Sequence, residues 1–285
     1  MAITTARSAL FCSTQLAARI ERAEAELIAR ASEVAHRRRA DGSGFVRPLA
    51  GAVASFADDQ SPFNKVTGLG FEGVPSNAEL DEVELAFAGA GAPIQVELSE
   101  LADPAIGSLL TGRGYRLEGF ENVLGRDLAG QIERVNPPGV EVRPSPDHEL
   151  ESWIDVVVDG AAQQDMQGPP SHEEFPRHVV DLAERDLAMT GVVRYVALVD
   201  GVVAGGGGLR MTEGIAQLTG AATAPAYRRR GVHTALLAAR LADAATAGCD
   251  IAVVTTQPGS KSQENVQRRG FVLLYARAIL VKEVG

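Results

Sequence analysis

Residues 224–237, APAYRRRGVHTALL, set three consecutive arginines and a glycine against the first turn of a helical pattern. Amides at a helix start have no intrahelical acceptor, and the peptide dipoles already make that end positive. Placing Arg228, Arg229 and Arg230 there is unfavourable unless an anion faces them. A diphosphate fits: the amides of Arg230, Gly231, Val232 and His233 converge on it, Thr234 completes the turn, and the guanidinium groups supply full charge. Gly231 permits close backbone approach. A bare RRRG run also occurs as a solvated basic helix entrance, so the elements around it must carry the assignment.

Other reactive residue types form no comparable pattern. The cysteines, Cys12 and Cys249, are far apart, which argues against a disulfide framework and fits a reducing compartment. Cys249 opens a strand and reads as core, not as a nucleophile. The histidines, His36, His148, His172, His178 and His233, form no HxxxH pair, so no metal site is expected. Gly205 to Gly208 follows a hairpin and opens no helix, so it reads as flexible strand or bulge, not a dinucleotide loop. Arg37 to Arg39 end a polar helix, where solvated cations are favourable.

The elements that must position residues 224–237 belong to a chain of 285 residues with 45% hydrophobic and 22% charged residues and a net charge of -10. That length admits two domains, and the negative charge is shared by both halves, which excludes a nucleic-acid-binding character. Gln15, Arg19 and Glu21 interrupt the apolar stretch after Arg7, so no signal peptide or membrane span is expected and a cytoplasmic location is the default. The run VNPPGVEVRPSPD (135–147) marks a boundary near Pro138.

The two halves are similar. RGYRLEGFENVLGRDL (113–128) parallels RGFVLLYARAILVKEV (269–284), an offset of 156 residues from Arg113 to Arg269. KVTG (65–68) parallels QLTG (217–220), and PIQVEL (93–98) parallels DIAVVT (250–255). These offsets are 152, from Lys65 to Gln217, and 157, from Pro93 to Asp250. The first half is therefore shorter where the second carries APAYRRRG, and is expected to lack that loop's function.

In the second half the sequence predicts a strand at 140–143, a helix with Ser145 as cap and Pro146 at its first position, a mobile connection at 161–177 and a helix at 174–190. Asp200-Gly201 then joins two strands as a hairpin. A strand at 214–223, a helix at 231–247, a strand at 250–256, a helix at 260–269 and one or two last strands follow. In the helix from Gly231, His233, Arg240 and Asp243 share a narrow sector, so most of that helix is expected to be covered, with only its first turn open.

Two stretches in this order resemble the GNAT superfamily of acetyl-CoA-dependent N-acetyltransferases. Thr223-Ala224-Pro225-Ala226-Tyr227 and then Arg228-Arg229-Arg230-Gly231-Val232-His233 are similar to its V-x-P-x-[YFH] run and Q/R-x-x-G-x-G/A loop, with Thr223 replacing Val and His233 replacing the final small residue. SQENVQRRGF (262–271) is similar to its S-x-x-N-x-x-R-x-G-F helix and strand start. The resemblance implies an α/β fold of the α+β kind: two tandem GNAT-like domains, each a mixed central sheet flanked by helices. Residues 1–137 would be a degenerate copy without the pyrophosphate loop, and 138–285 the acetyl-CoA-binding domain.

The resemblance also implies acetyl-CoA as co-substrate, held by Ala221, Ala222 and Thr223 where the strand splays open, by the residues from Arg228 to Thr234, and by Asn265 on the pantetheine arm. Transfer to an amine would be direct. No catalytic side chain is assigned: the family's frequent tyrosine acid falls at Val266, and Glu213 and Tyr275, near plausible positions, have ordinary readings as turn carboxylate and strand aromatic. Asp165, Glu173 and Glu174, around Gly168-Pro169-Pro170 with Met166 and Phe175, are candidates for attracting a small amine, or form a solvated acidic loop. No metal, nucleic-acid or membrane partner is expected, and a homodimer is left open. The alternatives are an acyl-CoA-binding regulatory or structural protein without catalysis, and an interaction protein with both halves decayed.

Overall fold

The computed structural model describes residues 10–130, 132–162, 169 and 174–283. The chain opens with a long helix, α1 (Thr14–Arg39), capped by Ser13, whose hydroxyl accepts from the Leu16 amide at 3.2 Å. Strands β1 (Phe45–Leu49), β2 (Ala52–Phe56) and β3 (Lys65–Thr67) follow, then α2 (Asn77–Ala90), β4 (Ile94–Ser99), α3 (Pro104–Gly112) and β5 (Arg116–Asp127). The second half runs β6 (Val140–Pro144), α4 (Leu150–Ala162), α5 (Arg177–Ala188), β7 (Val193–Val199), β8 (Val202–Thr212), β9 (Ile215–Thr223), α6 (Val232–Thr246), β10 (Ile251–Thr256), α7 (Lys261–Gln267) and β11 (Val272–Lys282). Among the described residues no helix is long and apolar enough to cross a membrane.

All strands join in one mixed eleven-stranded sheet, ordered β1-β2-β3-β4-β11-β5-β10-β9-β8-β7-β6. The two halves exchange their last strands. β5 pairs with β10 and β11 instead of its own half's β4, and β11 takes the place beside β4. The registers repeat across this centre: β5 meets β10 from Asp127↔Ile251 to Asn122↔Thr256, and β11 meets β4 from Lys282↔Ile94 to Arg277↔Ser99. A pseudo-twofold relation between the halves therefore passes between β5 and β11.

Helix α1 binds the two halves together. Ala17, Ile20 and Ala23 pack on Val123, Ile215, Ile251, Val253 and Tyr275. Farther along, Ile28, Ala31 and Ala35 pack with Ala57, Phe63 and Ala183. Beneath it the fully buried Arg277 binds Glu21 at 2.8 Å and Glu97 at 3.3 Å, and Tyr275 donates to Glu21 at 2.8 Å. A cation inside the protein requires such partners.

Several expectations change. The helix expected from Pro146 starts a turn later, through a 3-10 turn at 147–149, and Ser145 donates its hydroxyl to Glu149 instead of accepting from a helix amide. Helix α5 starts after Pro176 and ends at Ala188, inside the range predicted for it. Arg37 to Arg39 are not simply solvated: Arg38 donates to Asp186 at 3.0 and 2.9 Å, and Arg39 to Asp41 and the Ala57 carbonyl. The Asp200-Gly201 turn has φ of 53° and 78°, which makes it the type I′ hairpin that the dipeptide signals.

Candidate functional site

β9 and β10 run parallel only from Ile251↔Ile215 to Val253↔Gln217; beyond these residues they part. One cause is visible in β9. Its register with β8 passes from Gly208↔Thr219 to Gly207↔Ala221, leaving Gly220 as a bulge. A bulge bends its strand, and this one sits just beyond the last residue of β9 that pairs with β10. The glycines expected to be strand or bulge also let helices close on both faces. A Cβ on Gly206 would stand 2.6 Å from Trp153 Nε1, and one on Gly207 2.9 Å from the guanidinium carbon of Arg240. Arg240 itself is buried and donates to the Gly208 carbonyl at 2.9 Å.

The parted strands open a cleft of about 1110 Å³, closed by the C-terminal end of α4, the N-terminal turn of α6, and α7. Of the predicted donor-site residues, Ala221, Ala222, Thr223, Arg228, Arg229, Gly231, Val232, His233, Thr234 and Asn265 all line it. Arg230 does not: it turns away, over the Tyr227 ring at 5.7 Å and toward Asp200 at 3.6 Å. The cleft also takes in Thr256, Gln257, Lys261 and Arg269, residues without a conspicuous spacing that sequence reasoning missed.

Helix α6 begins without a side-chain cap, so its first amides are left for a ligand or water. Gly231, its N-cap residue, has φ of 84°, and Arg229 has φ of 62°. A Cβ on Gly231 would lie 2.7 Å from Pro137 Cγ, so the room this glycine provides is used by the preceding linker. Two further features face the cleft: the hydroxyls of Thr223 and Thr256 are buried without a hydrogen-bond partner among the described residues. Buried orphan hydroxyls are uncommon, and their position at the ends of the parted strands supplies hydrogen-bonding capacity for a polar ligand. Burial, reinforced by Arg240 and Arg269, lowers the His233 pKa to about 4, so its ring is neutral at pH 7.

The remaining candidates stand apart. Val266 is buried. Tyr275 is committed to Glu21, and Glu213 is exposed on a turn with φ of 46°; neither lines the cleft. Of the acidic acceptor candidates, Asp165 and Glu173 lie outside the described residues, as do Met166, Gly168 and Pro170. Glu174 is exposed outside the cleft, Phe175 is half-buried, and the Pro169 carbonyl accepts from Gln257 at 2.6 Å. Cys249 is buried, as expected, with its thiol pKa raised by burial and by Asp250. Among the described residues no group of histidines, cysteines and carboxylates could hold a metal ion.

The Acetyltransferase (GNAT) family profile matches residues 161–271, the segment that builds most of this cleft. No curated protein matches the chain. Among solved structures, a GCN5-related N-acetyltransferase from Kribbella flavida superposes with a TM-score of 0.62 at 18% identity, over 90% of this chain and 96% of its own. A tandem GNAT protein from the clavulanic acid biosynthesis pathway gives 0.61 at 14% identity, over 94% and 96%. A GCN5-related N-acetyltransferase from Sphaerobacter thermophilus gives 0.56 at 15%, over 94% and 93%. These likenesses establish the fold over nearly the whole chain, and residues 161–271 are similar to the Acetyltransferase (GNAT) family.

Proposed function

We propose that the protein is an N-acetyltransferase that moves an acetyl group from acetyl-CoA directly to the amine of a small molecule, with a single donor site in residues 138–285. The observation that carries this reading is the uncapped start of α6, with Arg228 and Arg229, at the mouth of a split between β9 and β10 that holds two unpartnered hydroxyls. The amides and arginines would hold the diphosphate, Asn265 the pantetheine arm, and the backbone of Ala221 to Thr223 the thioester end. When bound, acetyl-CoA supplies an activated acetyl carbonyl. The protein's own task is to hold an amine against it, because fixing two reactants in attack geometry lowers the barrier substantially.

Residues 1–137 are read as the degenerate copy. The helix in the corresponding place, α2, is closed on itself: Ser76 accepts from the Glu79 amide, and the Glu79 carboxylate accepts from the Ser76 amide. That capping box puts a carboxylate where the first turn of α6 is open. The β3–β4 contact is similarly reduced to Val66↔Val96, but Gly68 packs under α1, with an added Cβ 3.2 Å from Ala25 Cβ.

Calorimetry and a thiol-release assay test the reading. Acetyl-CoA is expected to bind once per chain, and small primary amines to accelerate release of free CoA thiol. Binding without amine-dependent release would leave an acyl-CoA-binding protein, and no binding would refute the reading outright.

A further inference from the structure

We infer that Glu184 is the general base of the transfer, carried by helix α5 against the bulge of β9 and positioned by the N-terminal half; the inference rests on the acetyltransferase reading above. Strand β9 itself, IAQLTGAAT, holds no carboxylate or histidine. At its bulge, Gly220, the side chain of Glu184 approaches the strand. A Cβ built on Gly220 would lie 2.6 Å from Glu184 Oε1 and 3.1 Å from Oε2, so the carboxylate is seated on the bare backbone of that glycine. Neither Glu184 nor Gly220 lines the donor cleft; Gly220 immediately precedes Ala221, Ala222 and Thr223, which do. The end of α4 closes on the same strand: Gly160 and Ala161 line the cleft, and a Cβ on Gly160 would meet Ala222 Cβ at 2.5 Å.

Glu184 has no partner among the described residues, although the charged groups around it do. On α5, Arg185 binds Glu151 and Asp181, Asp186 binds Arg38, and Arg177 binds Asp159 of α4. On α1, Glu24 accepts from Gln217, and Glu26 pairs with Arg210 and Arg30. None of these cations pairs with Glu184, and burial raises its pKa to about 7. A carboxyl group held there is ionised for half of its population near neutrality, the condition in which a base works best at physiological pH.

The N-terminal half fixes the helix that carries it. Arg38 of α1 grips Asp186 with two hydrogen bonds of 3.0 and 2.9 Å, and Ala183 packs among Ile28, Ala31, Ala35 and Phe63. Glu184 lies between these two anchor residues. In the step assigned to it, a carboxylate oxygen of Glu184 takes a proton from the acceptor's ammonium nitrogen: one N–H bond breaks and one O–H bond forms. The freed lone pair forms the C–N bond to the thioester carbon as the C–S bond breaks. The thiolate leaves with the second proton that nitrogen loses, and Glu184 returns its proton to solvent.

The test follows thiol release from acetyl-CoA by the full chain across pH with a panel of small primary amines, beside Glu184→Gln and Glu184→Asp. For the unaltered protein, kcat/KM is expected to rise with pH through about 7. Glu184→Gln should lose that rise and about a hundredfold in rate, while its calorimetric affinity for acetyl-CoA stays within about twofold. Glu184→Asp should keep the pH limb at reduced rate, and it carries the test if the glutamine variant fails to fold. Thermal unfolding gives a second readout: the folded protein binds the extra proton between pH 4.5 and about 7, so its stability falls as pH rises through that window, and the glutamine variant lacks this term. A glutamine variant with an unchanged rate and pH limb overturns the role of Glu184 and leaves the acetyltransferase reading standing. Acetyl-CoA binding without thiol release from any amine overturns both.

Discussion

Thr223 and Thr256 end the two strands that part at the cleft, and each keeps a buried hydroxyl without a partner among the described residues. Folding alone gives no reason for such a hydroxyl, since a methyl of the same shape would fill the space without losing hydration. Thr223→Val and Thr256→Val are therefore expected to leave the melting temperature unchanged or raised, and to weaken acetyl-CoA binding by about 0.5–1.5 kcal/mol each, measured by calorimetry. A fall in stability with unchanged affinity would make these hydroxyls structural. His233, kept neutral by burial and by Arg240 and Arg269, gives a pH effect of opposite sign to that of Glu184. Its folded pKa of about 4 lies below the ordinary 6.5, so the unfolded chain binds more protons between these values and stability is lost as pH falls through that window. His233→Asn is expected to flatten that acid limb in thermal unfolding. The cysteine thiols are both pushed up by burial, so neither is poised as a nucleophile. Replacing Cys12 and Cys249 together by alanine should leave transfer intact, and an acetyl group trapped on either sulfur would refute direct attack.

In the proposed reading, the contrast between α6 and α2 sets which helix start receives the diphosphate. Both follow a strand and precede the strand parallel to it, but α2 is closed by its own capping box and α6 has no side-chain cap. Gly231 holds the open turn at φ of 84° with Pro137 against its α-carbon, so a branched side chain would be strained and displaced together. Gly231→Val is expected to weaken acetyl-CoA more than tenfold, about 1.4 kcal/mol, in a protein that still folds. Pro137→Ala, which removes the ring but not the glycine, should have a much smaller effect if the open amides are what bind. Unchanged affinity in Gly231→Val would put the anion elsewhere. This turn was legible in the sequence because its signal is local: arginines, a glycine and a helical period within a dozen residues. The hairpin at Asp200-Gly201 and the order of strands and helices after Val140 were legible for the same reason. Arg230 was not, because a side chain's direction follows from the left-handed turn at Arg229 and from Asp200, a distant residue. Thr256 and Glu184 were not, because each matters only through the bulge at Gly220 and the parting of β9 from β10, which no single segment encodes.

The exchange of β5 and β11 ties the folding of each half to the other. Without residues 1–137, β10 and β11 would have nothing between them, because β5 fills that place along six residue pairs to β10 and nine to β11. Leu124 and Leu128 from the first half are part of the core that packs α6, and Val123 is part of the one under α1. Arg277, buried on β11, would lose Glu21, Glu97 and Glu121 together, leaving an uncompensated cation in an exposed strand face. Breaking a buried pair by removing one partner costs about 3–5 kcal/mol, a large part of a typical domain's 5–15 kcal/mol. Residues 138–285 made alone are therefore expected to be unfolded or aggregated despite carrying the whole motif of the donor site, and residues 1–137 to fare no better. Made together as two pieces they should associate, recover one acetyl-CoA site per pair, and melt in a single transition, as the intact chain should. The measurement is calorimetry and circular dichroism on the separate and mixed fragments. A folded 138–285 fragment that binds acetyl-CoA with the affinity of the intact chain would mean that β5 and α1 add stability but do not build the site.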